Sequence, residues 1–236
     1  MQPHQRANPS KMFFVNWFRI YGRCFPWRRH NISPYRSLVT EMLLRQTKAS
    51  NVSSIWASFI KRYPRPIALA SVRKAELVKH ISVLGFGNQR ADALILASAW
   101  LVHHHNGKVP STLHELLNIP HIGEYSARAV LCFAYGKRAE IVDSNVLRFF
   151  GRYYGLSLKP DNRRNPIAWE IARAALPRST KLTREHNYGL LDFTADICKP
   201  GRPRCEICAL AQTCNWNLRQ QLDSKVATKP RQAVAP

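Results

Sequence analysis

Four cysteines crowd into seventeen residues near the C-terminus: Cys198, Cys205, Cys208 and Cys214, spaced C-x6-C-x2-C-x5-C. Thiolates are soft ligands, and four from one short segment can enclose a metal centre, the CxxC pair bending its backbone around one side of it. The close spacing and the lack of histidine favour an iron–sulfur cluster. A single zinc, which more often takes two CxxC knuckles well apart, is the alternative. Lys199, Arg202 and Arg204 lie between the first two cysteines. A cationic loop pinned at both ends by metal can grip phosphates at low entropic cost. The remaining cysteines, Cys24 and Cys132, stand among apolar neighbours and are expected in the core.

A second piece of chemistry is a carboxylate. Asp143 follows the apolar Ile141-Val142 and precedes Ser144-Asn145-Val146, where a helix should begin. An Asp there caps the helix. Facing a cleft, it could also stabilise a cationic transition state. Upstream, residues 116–127 (LLNIPHIGEYSA) read as helix, tight turn and second helix, with Pro120 and Gly123 as punctuation. Such a turn can aim the first N–H groups of its second helix at a phosphate. A plain helical hairpin would show the same pattern.

The elements that must position these groups read as helices almost throughout the 236 residues. Apolar residues recur at helical spacing in 12–21, 38–43, 52–59, 94–101, 129–133, 146–154, 167–176 and 187–197. Thr112 and Glu115 form a capping-box signature. Alternating strand patterns are scarce, so the expected class is all-α. Apolar content of 45% excludes a chain disordered throughout. The formal charge of +22 speaks of partners rather than fold, and a polyanion such as nucleic acid is the natural one. No apolar run is long enough for a membrane helix, and the N-terminal MQPHQRANPS carries no signal-peptide core, so a cytoplasmic, nucleoid-associated protein of prokaryotic type, without membrane partners, is expected.

In this order the pieces resemble the helix-hairpin-helix DNA glycosylases, the superfamily of endonuclease III and MutY, over roughly residues 12–216. Residues 25–28 (FPWR), 34–47 (PYRSLVTEMLLRQT), the hairpin at 119–127, Val142-Asp143 and the four cysteines carry the likeness. The resemblance implies two helical domains flanking a DNA-binding cleft: 29–139, with the helix-hairpin-helix motif at 116–136, and 11–28 plus 140–216, with a [4Fe-4S] cluster on 198–214. Polar tails at 1–10 and 217–236 lie outside them. It also implies that Asp143 is catalytic, with Asn145 orienting it, that Glu41 assists, and that a helix bearing Arg45 and Gln46 fills the space left by a flipped base. His121, Ile122 and Gly123 would meet the phosphate backbone. The usual hairpin motif has glycine where His121 stands, and histidine accepts an unusual backbone angle better than a β-branched residue does.

The position two after Gly123 divides the family. Bifunctional members carry a lysine whose amine forms a Schiff base; here it is Tyr125, which has no amine. Tyrosine resembles the mismatch-specific thymine-DNA glycosylases (Mig-type), as do residues 85–91 (GFGNQRA) and 187–193 (NYGLLDF), the latter placing Tyr188 in the base pocket. The expected function is therefore monofunctional excision of thymine or uracil opposite guanine in double-stranded DNA, by a monomer. The alternatives are an adenine glycosylase without its accessory domain, and a non-catalytic mismatch-binding protein.

Overall fold

The computed structural model describes residues 9–29, 31–158 and 165–227. Among them are twelve α-helices and no strand, as the periodicity predicts: α1 (Phe13–Tyr21), α2 (Pro34–Leu43), α3 (Ala49–Arg62), α4 (Pro66–Ala70), α5 (Lys74–His80), α6 (Gly87–His105), α7 (Leu113–Leu117), α8 (Glu124–Phe133), α9 (Ser144–Tyr154), α10 (Pro166–Ala175), α11 (Thr180–Asp196) and α12 (Asn215–Ala227). Several starts follow from local chemistry. Ser33 caps α2 by accepting from the Arg36 N–H, and Pro34 supplies the fixed φ of a first helical residue. Thr112 accepts from the Glu115 N–H at 3.3 Å, the expected cap of α7. No helix of the described residues is long and apolar enough to cross a membrane.

The chain divides into two compact units. Of the described residues, the hairpin unit comprises those within 23–141 and 178–184, and the cysteine unit comprises 9–22, 142–158, 165–177 and 185–227. Residues 23–28, 140–141 and 178–184, which the sequence reading grouped with the second domain, therefore belong with the hairpin unit. Trp27 lies 6.5 Å from Trp56 of α3, and Arg184 donates to the carbonyls of Arg28 and Arg29.

In the hairpin unit α6 forms the spine. It buries Leu94, Ala97 and Leu101, and α2, α4 and α5 pack against it. Helices α2 and α8 pack on each other and α7 on α8, which fixes the hairpin to the unit. The cysteine unit has an aromatic core in which Phe14, Phe149 and Phe193 meet edge to face, with centroids 5.6 to 5.8 Å apart.

Two further expectations need correction. Residues 217–227, read as tail for want of an apolar stripe, continue α12. Its start is held by polar contacts instead: Asn215 Nδ2 donates to the Tyr153 carbonyl (3.1 Å), and the Leu218 N–H to the Cys214 carbonyl (3.0 Å). The rest of that tail and residues 1–8 lie outside the described residues. Cys132 is buried as expected, but Cys24 is exposed. It stands beside Phe25, whose ring stacks on that of Trp27 (4.7 Å), and an apolar neighbourhood in sequence did not bring the thiol inside.

Gly189 is where α11 meets α1. A Cβ there would stand 2.0 Å from the Phe14 carbonyl oxygen, which only backbone movement could relieve. Gly189→Ala should therefore destabilise the fold by about 1–3 kcal/mol or more, read as a lowered urea midpoint, despite alanine's better helix propensity.

Candidate active site

Asp143 caps α9. Its Oδ1 accepts from the Val146 N–H at 2.7 Å and its Oδ2 from the Asn145 side-chain amide at 3.0 Å. The helix dipole and these donors favour the carboxylate, but desolvation is the larger effect and pushes its pKa above the ordinary aspartate range. Asn145 is itself fixed, because Arg148 Nη1 donates to its Oδ1 at 2.9 Å. Arg148 then spends its other donors on the carbonyls of Cys198 (Nε, 2.9 Å) and Thr194 (Nη2, 2.8 Å). The orienting role expected of Asn145 thus has a geometric basis. Arg148, which the sequence reading missed, is the next link.

One turn further along α9, Arg152 holds the cysteine loop. Its Nη1 donates to the Lys199 carbonyl (2.6 Å) and lies 3.6 Å from Cys198 Sγ; its Nη2 donates to the Gly201 carbonyl (3.1 Å). Its guanidinium also lies over the Trp216 ring at 5.0 Å. Gly201 has φ +67°, a left-handed turn that suits glycine. Arg202 and Arg204 are exposed and Lys199 half-buried. The fourfold spacing of Arg148 and Arg152 was the available signal, but an i, i+4 pair of arginines equally describes a solvated face.

All four cysteines line one small cavity, walled by Phe149, Tyr153, Phe193 and Leu210. Among the described residues no three His, Cys, Asp or Glu side chains converge on a point that a single ion could occupy. Burial pushes the thiols of Cys198, Cys205 and Cys208 up, that of Cys208 to about 11. Such thiols hold their protons at neutral pH unless a cationic centre displaces them. The four sulfurs are a soft donor set that fits a thiolate-bound metal centre, and they would have to lose their protons to hold it.

In the hairpin unit the turn between α7 and α8 holds His121 at φ +63° and exposed, the left-handed angle anticipated for the residue in a glycine position. Ile122 is buried, while Gly123 is exposed as the cap of α8, and a Cβ there would meet nothing within 4 Å. Its φ of −101° is ordinary, so open space rather than strain is its local property. Gly123 has no side chain to cap α8, and the helix dipole at this end favours an anion. Tyr125 is half-buried in the first turn of α8. Arg128 steadies that turn by pairing with Glu124 and with Glu140, which is 4% exposed, both at 2.8 Å.

Glu41 is 6% exposed on α2, so it is not the surface carboxylate that a helical Glu usually is. Arg45 and Gln46 do not lie on a helix as expected. α2 stops at Leu43, and the pair forms a turn in which Gln46 takes φ +53°. Both are exposed, and Arg45 Nη1 donates to the His121 carbonyl at 3.1 Å. In the cysteine unit Tyr188 is buried, its ring stacked on Phe18 at 5.7 Å.

A family profile described as "HhH-GPD superfamily base excision DNA repair protein" matches residues 39–173, which contain the hairpin and Asp143. The chain is 37% identical over 214 residues to a thymine/uracil-DNA glycosylase of Methanothermobacter thermautotrophicus, covering 89% of this chain and 96% of that one. It is 35% identical to a thymine-DNA glycosylase of Aeropyrum pernix, covering 89% and 94%. The solved structure of a thermostable thymine-DNA glycosylase superposes with a TM-score of 0.82 at 34% identity, over 89% of this chain and 95% of that one. With the profile spanning more than half of the sequence, this chain belongs to the HhH-GPD superfamily of base excision DNA repair proteins.

Proposed function

We propose that the chain is a monomeric DNA glycosylase that removes thymine or uracil mispaired with guanine by hydrolysis. The observation that carries this reading is the carboxylate of Asp143, fixed by the Val146 N–H and the Asn145 amide and desolvated at a helix N-terminus. The names of the relatives supply the substrate class. The target base leaves its stack, which costs a few kcal/mol and less at a mispair. As the bond between C1′ and the base nitrogen lengthens, its electrons go to the base and the sugar becomes oxocarbenium-like. The Asp143 carboxylate stabilises that cation. Water then adds at C1′ and gives up a proton to Asp143 and thence to solvent, while the departed base anion takes up a proton from solvent. The products are free base and an intact abasic strand.

The other expected roles join this reading. Glu41 assists the pyrimidine carbonyl or the water. Gln46 and Arg45 meet the widowed guanine and Tyr188 belongs to the base pocket. His121 and Gly123 with the start of α8, together with Lys199, Arg202 and Arg204, hold phosphates, whereas Ile122, expected beside them, is buried and gives its N–H to the Ile119 carbonyl, so it anchors the turn instead. Cys198, Cys205, Cys208 and Cys214 would hold a [4Fe-4S] cluster as thiolates. When bound, it supplies a tether that orders the cationic loop. Purified without oxygen, the protein should be yellow-brown with about four irons per chain. Cys205→Ser should lose both the colour and much of the DNA affinity; a colourless protein with one zinc would overturn the assignment.

Duplexes carrying G·T, G·U, A·G or A·8-oxoguanine, incubated and then treated with alkali, test the substrate. Cleavage is expected at G·T and G·U, and excision of adenine instead would overturn the reading. Asp143→Asn should abolish excision while still binding the mismatch. It should not lower the melting temperature, since asparagine can keep the cap to Val146 and removes a desolvated charge. In the wild type the active form is the carboxylate and burial raises its pKa. Activity should therefore fall with decreasing pH along an acid limb lying above about pH 3.9, the unperturbed aspartate value.

Tyr125 makes the reaction monofunctional in this reading. Wild-type strands should break only after heat or alkali, and borohydride should trap nothing. Tyr125→Lys should nick strands and give a borohydride-trapped protein–DNA adduct, its partly desolvated amine being neutral in part near pH 7. Trapping by the wild type would sink the monofunctional assignment.

A further inference from the structure

Arg90 is 6% exposed and its guanidinium has no carboxylate among its hydrogen-bond acceptors. Its Nη1 donates to the carbonyls of Met42 (2.8 Å) and Leu43 (3.0 Å), its Nη2 to that of Arg45 (2.8 Å), and its Nε lies 3.4 Å from that of Gly85. Met42 and Leu43 end α2, where carbonyls lose their intrahelical partners. A glycine or asparagine just past the helix would satisfy them locally at little cost. Here a buried cation from α6 does so instead. Burial and the nearby Arg45 both weigh against its charged form.

What Arg90 holds is unusual backbone. The turn it supports ends in Gln46 at φ +53°, and its Nε side reaches Gly85 (φ +73°), which precedes Phe86 (φ +51°). Non-glycine residues seldom take this region. The chain of contacts continues, because Arg45, whose carbonyl accepts from Arg90, donates from its own guanidinium to the carbonyl of His121 (φ +63°). Two guanidinium groups thus tie together left-handed turns near residues 46, 86 and 121, all within the hairpin unit.

We propose that Arg90 is a positioning residue that sets opposite-base discrimination by holding the Arg45–Gln46 turn at a fixed place relative to the hairpin turn. The proposal rests on the reading above in which Gln46 meets the widowed guanine and the hairpin holds phosphate. With the hairpin docked on the backbone, the Arg90–Arg45–His121 chain delivers Gln46 to the base step without a search. The ordering cost is met on folding rather than on binding. Lysine cannot replace it: an ammonium is a point donor, whereas the planar fork spans three carbonyls at once.

The test uses the full-length protein with Arg90→Lys, Gln46→Ala and the double variant. In Arg90→Lys, amide hydrogen exchange at residues 44–48 should quicken while α6 and α8 stay protected. Excision at G·T should fall at least tenfold. Affinity for fully paired duplex, and its salt dependence, should stay within about twofold, which a general loss of structure would not allow. Because Arg90 acts through Gln46, the double variant should lose little more than the worse single one. Losses that multiply, or unchanged exchange at 44–48, would overturn the proposal. If Arg90→Lys melts below the assay temperature, Arg90→Gln, which keeps two donors without the buried charge, carries the same comparison. If the wild type excises nothing at G·T, the functional reading fails, and the exchange result still decides whether Arg90 holds the turn.

Discussion

Arginine donating to backbone carbonyl is the interaction on which the candidate site depends. With 36 basic side chains and 14 acidic ones, most basic groups cannot each find a carboxylate. Several are satisfied by peptide oxygens instead: Arg90 at the end of α2, Arg148 and Arg152 along the cysteine loop, Arg45 at the hairpin turn, Arg184 at residues 28–29. Each of these carbonyls belongs to a helix end or an irregular segment, where the regular ladder leaves oxygens without partners. The fork of the guanidinium can serve two or three at once, so one side chain replaces a cap and a turn.

This solution has an electrostatic consequence. A carbonyl satisfies the hydrogen bonds of an arginine without neutralising its charge, so the positive field survives wherever the arginine is near the surface. The same residues that order the loops also make the molecule a partner for a polyanion. Some pairs neutralise charge at the surface, such as Lys74 with Asp92 and Arg62 with Glu76, whereas others are internal, as in the pairing of Arg128 with Glu124 and with the buried Glu140. That pair stiffens the first turn of α8 rather than shaping the surface.

The catalytic candidate runs against the same background. Asp143 is a carboxylate whose burial disfavours its charge, offset by the Val146 N–H, the Asn145 amide and, more remotely, Arg148. It is held by its own helix, and that helix is held by arginines reaching into the cysteine loop. A change in the loop can therefore be felt at the carboxylate through Arg148 and Asn145, two side chains away. The loop and the acid are one mechanical assembly within the cysteine unit.

The sequence by itself determined the helical class, the hairpin, the cysteine set and the place of Asp143, because each is written in local spacing: a 3.6-residue period, a turn signature, a capping position. His121 at a left-handed angle was legible for the same reason. Only the tertiary structure decided where α2 stops, since the signal is Arg90, more than forty residues away, and no local residue marks it. It likewise decided that Cys24 is exposed, that Glu41 is buried, and that residues 217–227 continue a helix anchored by Asn215 rather than by an apolar stripe. Burial and long-range hydrogen bonds depend on which segments meet in space, and periodicity reports only which face of a segment is apolar.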